Sequence, residues 1–318
     1  MPQYTNKYNL PLPVFKALTK DLYDKKGDYS VTELIGPVKI GILKDRHKDD
    51  IVIEASDLLW SMRGESMHYI AQKAELPNSV IERRIIADVF DKELSMKADY
   101  IYPISSNQHE LLDFKDTKVF VAKNGMIKSE WIWQSNIYRL MYNREMDLNI
   151  TRMKNVLFLG DWKYAERWIK HAAQDENTQN PYPDIPIVVV DIPEKSESEI
   201  LEYIKNRIVM FEDAKQFPDD ELPDCTESER WADPSAYAVV KKTGNAVPGG
   251  KDFKTRADAE AFQESRWCKA EEKKTSSIKR GDTHIEYRRG ESKRCERGYC
   301  PVREFCKQYK TEIRKDPF

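Results

Sequence analysis

The sequence predicts a mixed α/β fold followed by a smaller, cysteine-rich C-terminal module. Two observations carry this reading. Strand-like and helical segments follow one another in mixed order through the first two thirds of the chain, and all five cysteines lie beyond residue 224. A chain of 318 residues has room for one core of roughly 200 residues and a further small domain.

Residues 1–35 read as an extended arm with one short helix, from Val14 to Tyr23, and Val38–Leu43 as a short strand. Ser56–Ala74 reads as a helix, because Leu58, Leu59, Met62, Ile70 and Ala74 approximate a 3.6-residue stripe behind Ser56 as N-cap. Three strand-like runs follow, Ser79–Phe90, Leu94–Pro103 and Glu110–Lys115, separated by polar turns. Trp131–Arg144 reads as a second helix, Asn155–Leu159 and Ile185–Ile192 as strands, and Ser196–Lys215 as a third helix opened by a Ser-x-x-Glu capping signature. Acidic, proline-bearing Asp219–Asp224 marks the boundary between an N-terminal part, 1–218, and a C-terminal part, 219–318. In the latter, Tyr237–Lys241, the Gly249-Gly250 turn, a strand near Phe253 and a helix over Asp258–Ser265 predict a β-β-α insert at about 236–266.

Composition narrows the function. Hydrophobic residues make up 40% and charged residues 33% at a mean hydropathy of −0.72, which excludes a disordered or collagen-like chain. The longest apolar run, Ile185–Ile192, is broken by Pro186 and Asp191 and is too short to span a bilayer. The opening Met-Pro-Gln-Tyr-Thr-Asn-Lys carries no signal-peptide pattern, so a cytoplasmic location is expected and no membrane partner. The net charge of −2 excludes a general basic coat, although Lys269–Asp316 carries 15 Lys/Arg against 9 Asp/Glu.

Among side chains that carry chemistry, Asp113 and Lys115 come first. Alternation along a strand puts both on one face, with Leu112 and Phe114 on the other. A carboxylate beside an ammonium suits a hydrolytic site, with the carboxylate on a divalent metal and the lysine near the developing phosphate charge. The same spacing also suits a surface ion pair. Asp99 lies in a run that can pair with the Asp113 strand as a hairpin, and two carboxylates from neighbouring strands suit Mg²⁺. On the first helix, Gly64 sits one turn before His68 and removes bulk. On the second, Gln134 and Tyr138 share a face at i, i+4.

Taken in order, Gly64-x-x-x-His68, Asp99, Asp113-x-Lys115 and Gln134-x-x-x-Tyr138 resemble the motif series of RecB-like nucleases in the PD-(D/E)xK superfamily. CRISPR-associated, AddB-type and phage-encoded members are the nearest in pattern, over roughly residues 56–145. The resemblance implies a restriction-endonuclease-like core, a central mixed sheet flanked by helices. It implies His68, Asp99, Asp113 and the Phe114 carbonyl as ligands of Mg²⁺ or Mn²⁺, with Lys115, Asp113 and Asp99 catalytic. Gln134 and Tyr138 would contact DNA or brace the site, and Glu82 is a possible extra carboxylate. The chain departs from the pattern at Met96, where members usually carry glycine, and at Gln72, where they can have an acid.

The cysteines point to a second metal. Cys295-x4-Cys300-x5-Cys306, with Cys225 or else Cys268 as the fourth thiolate, suits zinc or an iron–sulfur cluster, and no Cys-x2-Cys zinc knuckle is present. Several RecB-like exonucleases hold a 4Fe–4S cluster on one distant cysteine and three near the C-terminus, which this tail resembles. In those relatives the distant cysteine precedes the nuclease motifs, whereas Cys225 follows them.

The expected function is therefore a metal-dependent exonuclease acting on single-stranded DNA or DNA ends, in recombination, repair or phage- or CRISPR-related processing. The chain has no phosphate-binding Gly-x4-Gly-Lys-Ser/Thr loop, so helicase activity of its own is not expected; the resemblance implies a helicase or recombination partner, because related nucleases often work beside one. The competing expectation is a non-catalytic nucleic-acid-binding or scaffolding protein with a structural four-cysteine site.

Overall fold

A computed structural model describes residues 2–20, 26–123, 127–172, 181–273 and 281–313. They form a mixed α/β protein of two compact units, Met1–Pro218 and Asp219–Phe318. Among the described residues, no helix is long and apolar enough to cross a membrane.

The first unit opens with β1 (Gln3–Thr5) and α1 (Leu12–Thr19). The helix starts behind Pro11 and ends at Thr19, where the sequence suggests Val14 to Tyr23; residues 21–25, including Tyr23, lie outside the described part. Then come β2 (Tyr29–Ser30), α2 (Val31–Leu34), α3 (Val38–Arg46) and β3 (Val52–Glu54). Val38–Leu43, expected as a strand, belongs to α3. Its β-branched residues suggest a strand locally, but Val38, Ile42 and Leu43 recur at helical spacing and are buried, so tertiary burial prevails over propensity. Gly41 allows that contact: a methyl there would lie 2.7 Å from Cε1 of buried Phe211.

A 3₁₀ turn, Ala55–Leu58, leads into α4 (Leu59–Gln72). Ser56 lies inside this turn and does not cap the helix.

Next come β4 (Val80–Ile81), β5 (Arg84–Asp88), β6 (Glu93–Lys97), β7 (Tyr100–Ser105) and β8 (Gln108–Thr117). Two of the long runs read from sequence are thus each broken in the middle. β4 pairs with β7, whereas β5 pairs with β6, so the hairpin leaves one sheet and enters another. The breaks lie at the same level, at Glu82–Arg83 and Ala98–Asp99, and Glu82 N donates to the Asp99 carbonyl at 3.3 Å. Glu82 takes the left-handed conformation, φ 48°, which non-glycine residues adopt only when their surroundings impose it.

α5 (Val119–Lys123) and α6 (Ser129–Met146) connect β8 to β9 (Ile150–Leu159), followed by α7 (Tyr164–Ala172), β10 (Ile187–Asp191) and α8 (Glu197–Ala214). The main sheet has the order β10-β9-β8-β7-β4. β8 and β9 are parallel, which requires the α6 crossover, and the other neighbours are antiparallel. β2, β6 and β5 form a three-stranded sheet, and β1 pairs with β3. α8 starts as its signature predicts, with Ser196 and Glu199 forming a capping box.

In the second unit, β11 (Ala236–Lys241), α9 (Arg256–Lys273), β12 (Thr283–Arg288) and α10 (Lys293–Glu296) follow in order. β11 pairs antiparallel with β12, so the insert is β-α-β rather than β-β-α. The segment before the helix lies along the other edge of β11 through isolated bridges at Val240–Ala246 and Tyr237–Phe253 and forms no continuous strand. The long partner follows the helix, in Thr-His-Ile-Glu-Tyr-Arg, a six-residue alternation of Thr283, Ile285 and Tyr287 with polar residues. Val239, Val247 and Ala259 form the core of this insert, with Tyr237, Phe253, Phe262 and Ile285 against it.

Candidate metal centre

The kinked hairpin and α4 build the centre. Glu82 and Asp99 stand at the two strand breaks, and His68 descends on them from α4. One ligand atom from each of the three lies within 4.8 Å of the others. His68 Nδ1 is 3.4 Å from both Glu82 Oε1 and Asp99 Oδ1. Asp99 is further held by the Phe114 N–H, which donates to Oδ2 at 2.7 Å. Hydrogen bonds to Asp99 and then Glu82 push the His68 imidazole up to about 10. Lys97 pairs with Glu82 from the cleft side.

Asp113 and Lys115 stand next to this trio. Lys115 Nζ is 2.6 Å from Asp113 Oδ2 and donates to Gln134 Oε1 at 2.9 Å. Gln134 Nε2 in turn donates to Tyr138 Oη at 3.1 Å. A line of polar contacts thus runs from β8 along one face of α6, over two residues one helical turn apart. Asp113 is 1% exposed. Burial raises its carboxyl above the usual carboxylate range and nearby Asp99 adds to this, while Lys115 opposes it. The contact of Asp113 with Lys115 is an ion pair.

A cleft of about 830 Å³ opens over His68 and Glu82, with Gly64, Arg84, Lys97 and Tyr138 in its walls. Where a Gly64 side chain would stand, no atom of the described residues lies within 4 Å. Such a volume holds a nucleotide-sized ligand.

All the nuclease-type residues read from the sequence lie in this one region. Glu82 is a full member of the trio rather than an accessory, and it sits in a bend instead of on a strand. Phe114 reaches the trio through its N–H. Two contributors escaped the sequence reading. Tyr142, one turn beyond Tyr138, accepts from Ala98 N at 2.9 Å and donates to the Arg83 carbonyl, so it ties the two strand breaks together. Burial pushes its hydroxyl up to about 12, which keeps the donating proton in place. Arg63, on α4, pairs with Asp116 at 2.7 Å and packs on Gly160, where a methyl would lie 1.4 Å from Nη2. The only sequence cue for Tyr142 was its i, i+4 spacing from Tyr138; Arg63 had none.

The cysteines belong to the second unit. Cys295, Cys300 and Cys306 are buried, Cys225 is half-buried, and none forms a disulfide. Burial pushes the Cys300 thiol up to about 11, and charge on Cys295 and Cys306 pushes the same way. Burial, then Cys306, raises Cys295. Gln308 braces Cys225, accepting from its N–H at 3.0 Å and donating to its carbonyl at 3.1 Å. Cys268, the other candidate for the fourth thiolate, is exposed, with its thiol 3.8 Å from Glu264 Oε1.

No model of a known protein family matches the chain, and no curated protein matches it. One solved structure, described as the crystal structure of SSO0001, is similar at 14% identity and a TM-score of 0.43. The likeness covers 62% of this chain and 84% of that one.

Proposed function

We propose that the protein is a metal-dependent DNA exonuclease, a RecB-like member of the PD-(D/E)xK superfamily. One observation carries the reading: His68, Glu82 and Asp99 converge within 4.8 Å beside the Asp113–Lys115 pair. An imidazole and carboxylate oxygens suit Mg²⁺ or Mn²⁺. The residues therefore fit such an ion, with Asp113 completing the set. When bound, the ion supplies an activated water and positive charge against the attacked phosphate.

The chain's own groups do the rest. Lys115 holds an ammonium where negative charge grows as the water oxygen bonds to phosphorus and the leaving oxygen departs. Gln134 and Tyr138 fix the direction of that ammonium. Lys97 and Arg84, in the cleft wall, offer charge to the flanking phosphates.

In the second unit, Cys225, Cys295, Cys300 and Cys306 are proposed to hold a 4Fe–4S cluster, with zinc as the alternative. Buried thiols held above their ordinary range become thiolates when they bind a metal.

The test is digestion of end-labelled single- and double-stranded DNA in Mn²⁺, with protein purified without oxygen and analysed for iron and sulfide. Mn²⁺-dependent shortening of the DNA, by protein containing iron and sulfide, is the expected result. Intact DNA of every end type removes the nuclease reading and leaves the binding or scaffolding one. Zinc without iron removes the cluster.

A further inference from the structure

The start of α7 presents an aromatic and basic surface that the centre does not use. Tyr164 and Trp168 are each 60% exposed although large apolar rings favour burial. They stand one turn apart on one helix face and meet edge to face at 6.2 Å. Trp162 anchors the row: its indole N–H donates to the Pro183 carbonyl at 2.8 Å, and its ring meets Tyr164 at 6.3 Å.

A basic stripe runs beside the rings. Lys163, Arg167 and Lys170 lie at i, i+4 and i+7, and Glu166 is the one carboxylate between Lys163 and Lys170. The Arg167 guanidinium lies 5.7 Å from the Trp168 ring centre. Its partner Asp184, and the Glu166 that pairs with both lysines, make surface ion pairs of the kind that contribute little and yield to a phosphate.

The surface also has a defined place. α7 begins just beyond Gly160, whose N–H donates to the Thr117 carbonyl at 2.9 Å, and Thr117 ends the strand that carries Asp113 and Lys115. Arg63, against Gly160, sits on the same helix as His68, five residues earlier. The rings thus lie just past the end of the strand that bears the proposed catalytic pair.

We infer that Tyr164 and Trp168 form a stacking platform for the bases of single-stranded DNA, with Lys163, Arg167 and Lys170 on its phosphates, at the approach to the metal centre. Exposed rings beside regularly spaced cations match a strand of alternating bases and phosphates, whereas bases stacked inside a duplex keep their faces hidden. The inference takes its substrate from the nuclease reading, but binding alone tests it.

The experiment measures fluorescence anisotropy of labelled oligo(dT) and of a blunt duplex with the full chain, Ca²⁺ replacing Mn²⁺. Trp168→Ala is expected to weaken oligo(dT) binding about tenfold, with the duplex unaffected and Trp168→Phe restoring most of the loss. Circular dichroism checks the fold, which an exposed side chain should not disturb. Unchanged oligo(dT) affinity overturns the inference and leaves a protein partner for this face; equal weakening of the duplex also overturns it. Wild-type protein that does not bind oligo(dT) overturns it too, while digestion in Mn²⁺ decides the nuclease reading separately. Weakened binding in a protein that cuts nothing upholds the platform and removes the nuclease.

Discussion

Lys115→Ala is expected to cut DNA about 10²–10³-fold more slowly, the usual cost of removing one preorganised group that offsets transition-state charge. It is expected to bind Mn²⁺ at least as tightly as the wild type. The two effects separate because Lys115 contacts Asp113 and Gln134 but none of the converging trio. Its removal takes a competing cation from Asp113, whose buried carboxyl then binds a proton or the metal more readily. A merely structural Lys115 would instead lower stability and leave the rate of the folded fraction unchanged. Cutting and binding should therefore be measured on the same preparation. A Lys115→Ala protein that cuts at the wild-type rate contradicts the assignment.

Tyr142→Phe is expected to weaken Mn²⁺ binding by about 10–100-fold, the range typical of residues that orient metal ligands. Tyr142 touches neither metal ligand nor substrate; it is a positioning residue. Its hydroxyl satisfies Ala98 N and the Arg83 carbonyl, the residues next to Asp99 and Glu82. Removing the oxygen leaves a buried N–H and a carbonyl without that partner, at about 1–3 kcal/mol for each group left unsatisfied. The strand breaks then lose their shared tie, and the two carboxylates their fixed separation. A loss of stability alone, with Mn²⁺ affinity unchanged, would make Tyr142 a core residue and no more.

What the sequence revealed and what it hid follow from the range of the interactions. Asp113 and Lys115 are legible because strand alternation is local, and Gln134 and Tyr138 because one helical turn is. The α8 capping box is legible for the same reason. Glu82 could not be ranked, because its place opposite Asp99 depends on two strands changing sheets at one level. That change is enforced by a tyrosine more than 40 residues away in the chain. α3 misled because Val38, Ile40 and Ile42 carry strand propensity, and only packing beside α8 overrides it. The insert misled because the main partner of β11 is β12, beyond the helix, and its alternation of Thr283, Ile285 and Tyr287 with His284, Glu286 and Arg288 is only six residues long.

The central claim is that His68, Glu82 and Asp99 hold a divalent metal ion, and Mn²⁺ titration followed by electron paramagnetic resonance tests it most directly. The wild type is expected to bind Mn²⁺, and a Glu82→Gln, Asp99→Asn double variant, checked for folding by its melting curve, is expected to lose that binding. Mn²⁺ binding of undiminished affinity in the folded double variant would contradict the account.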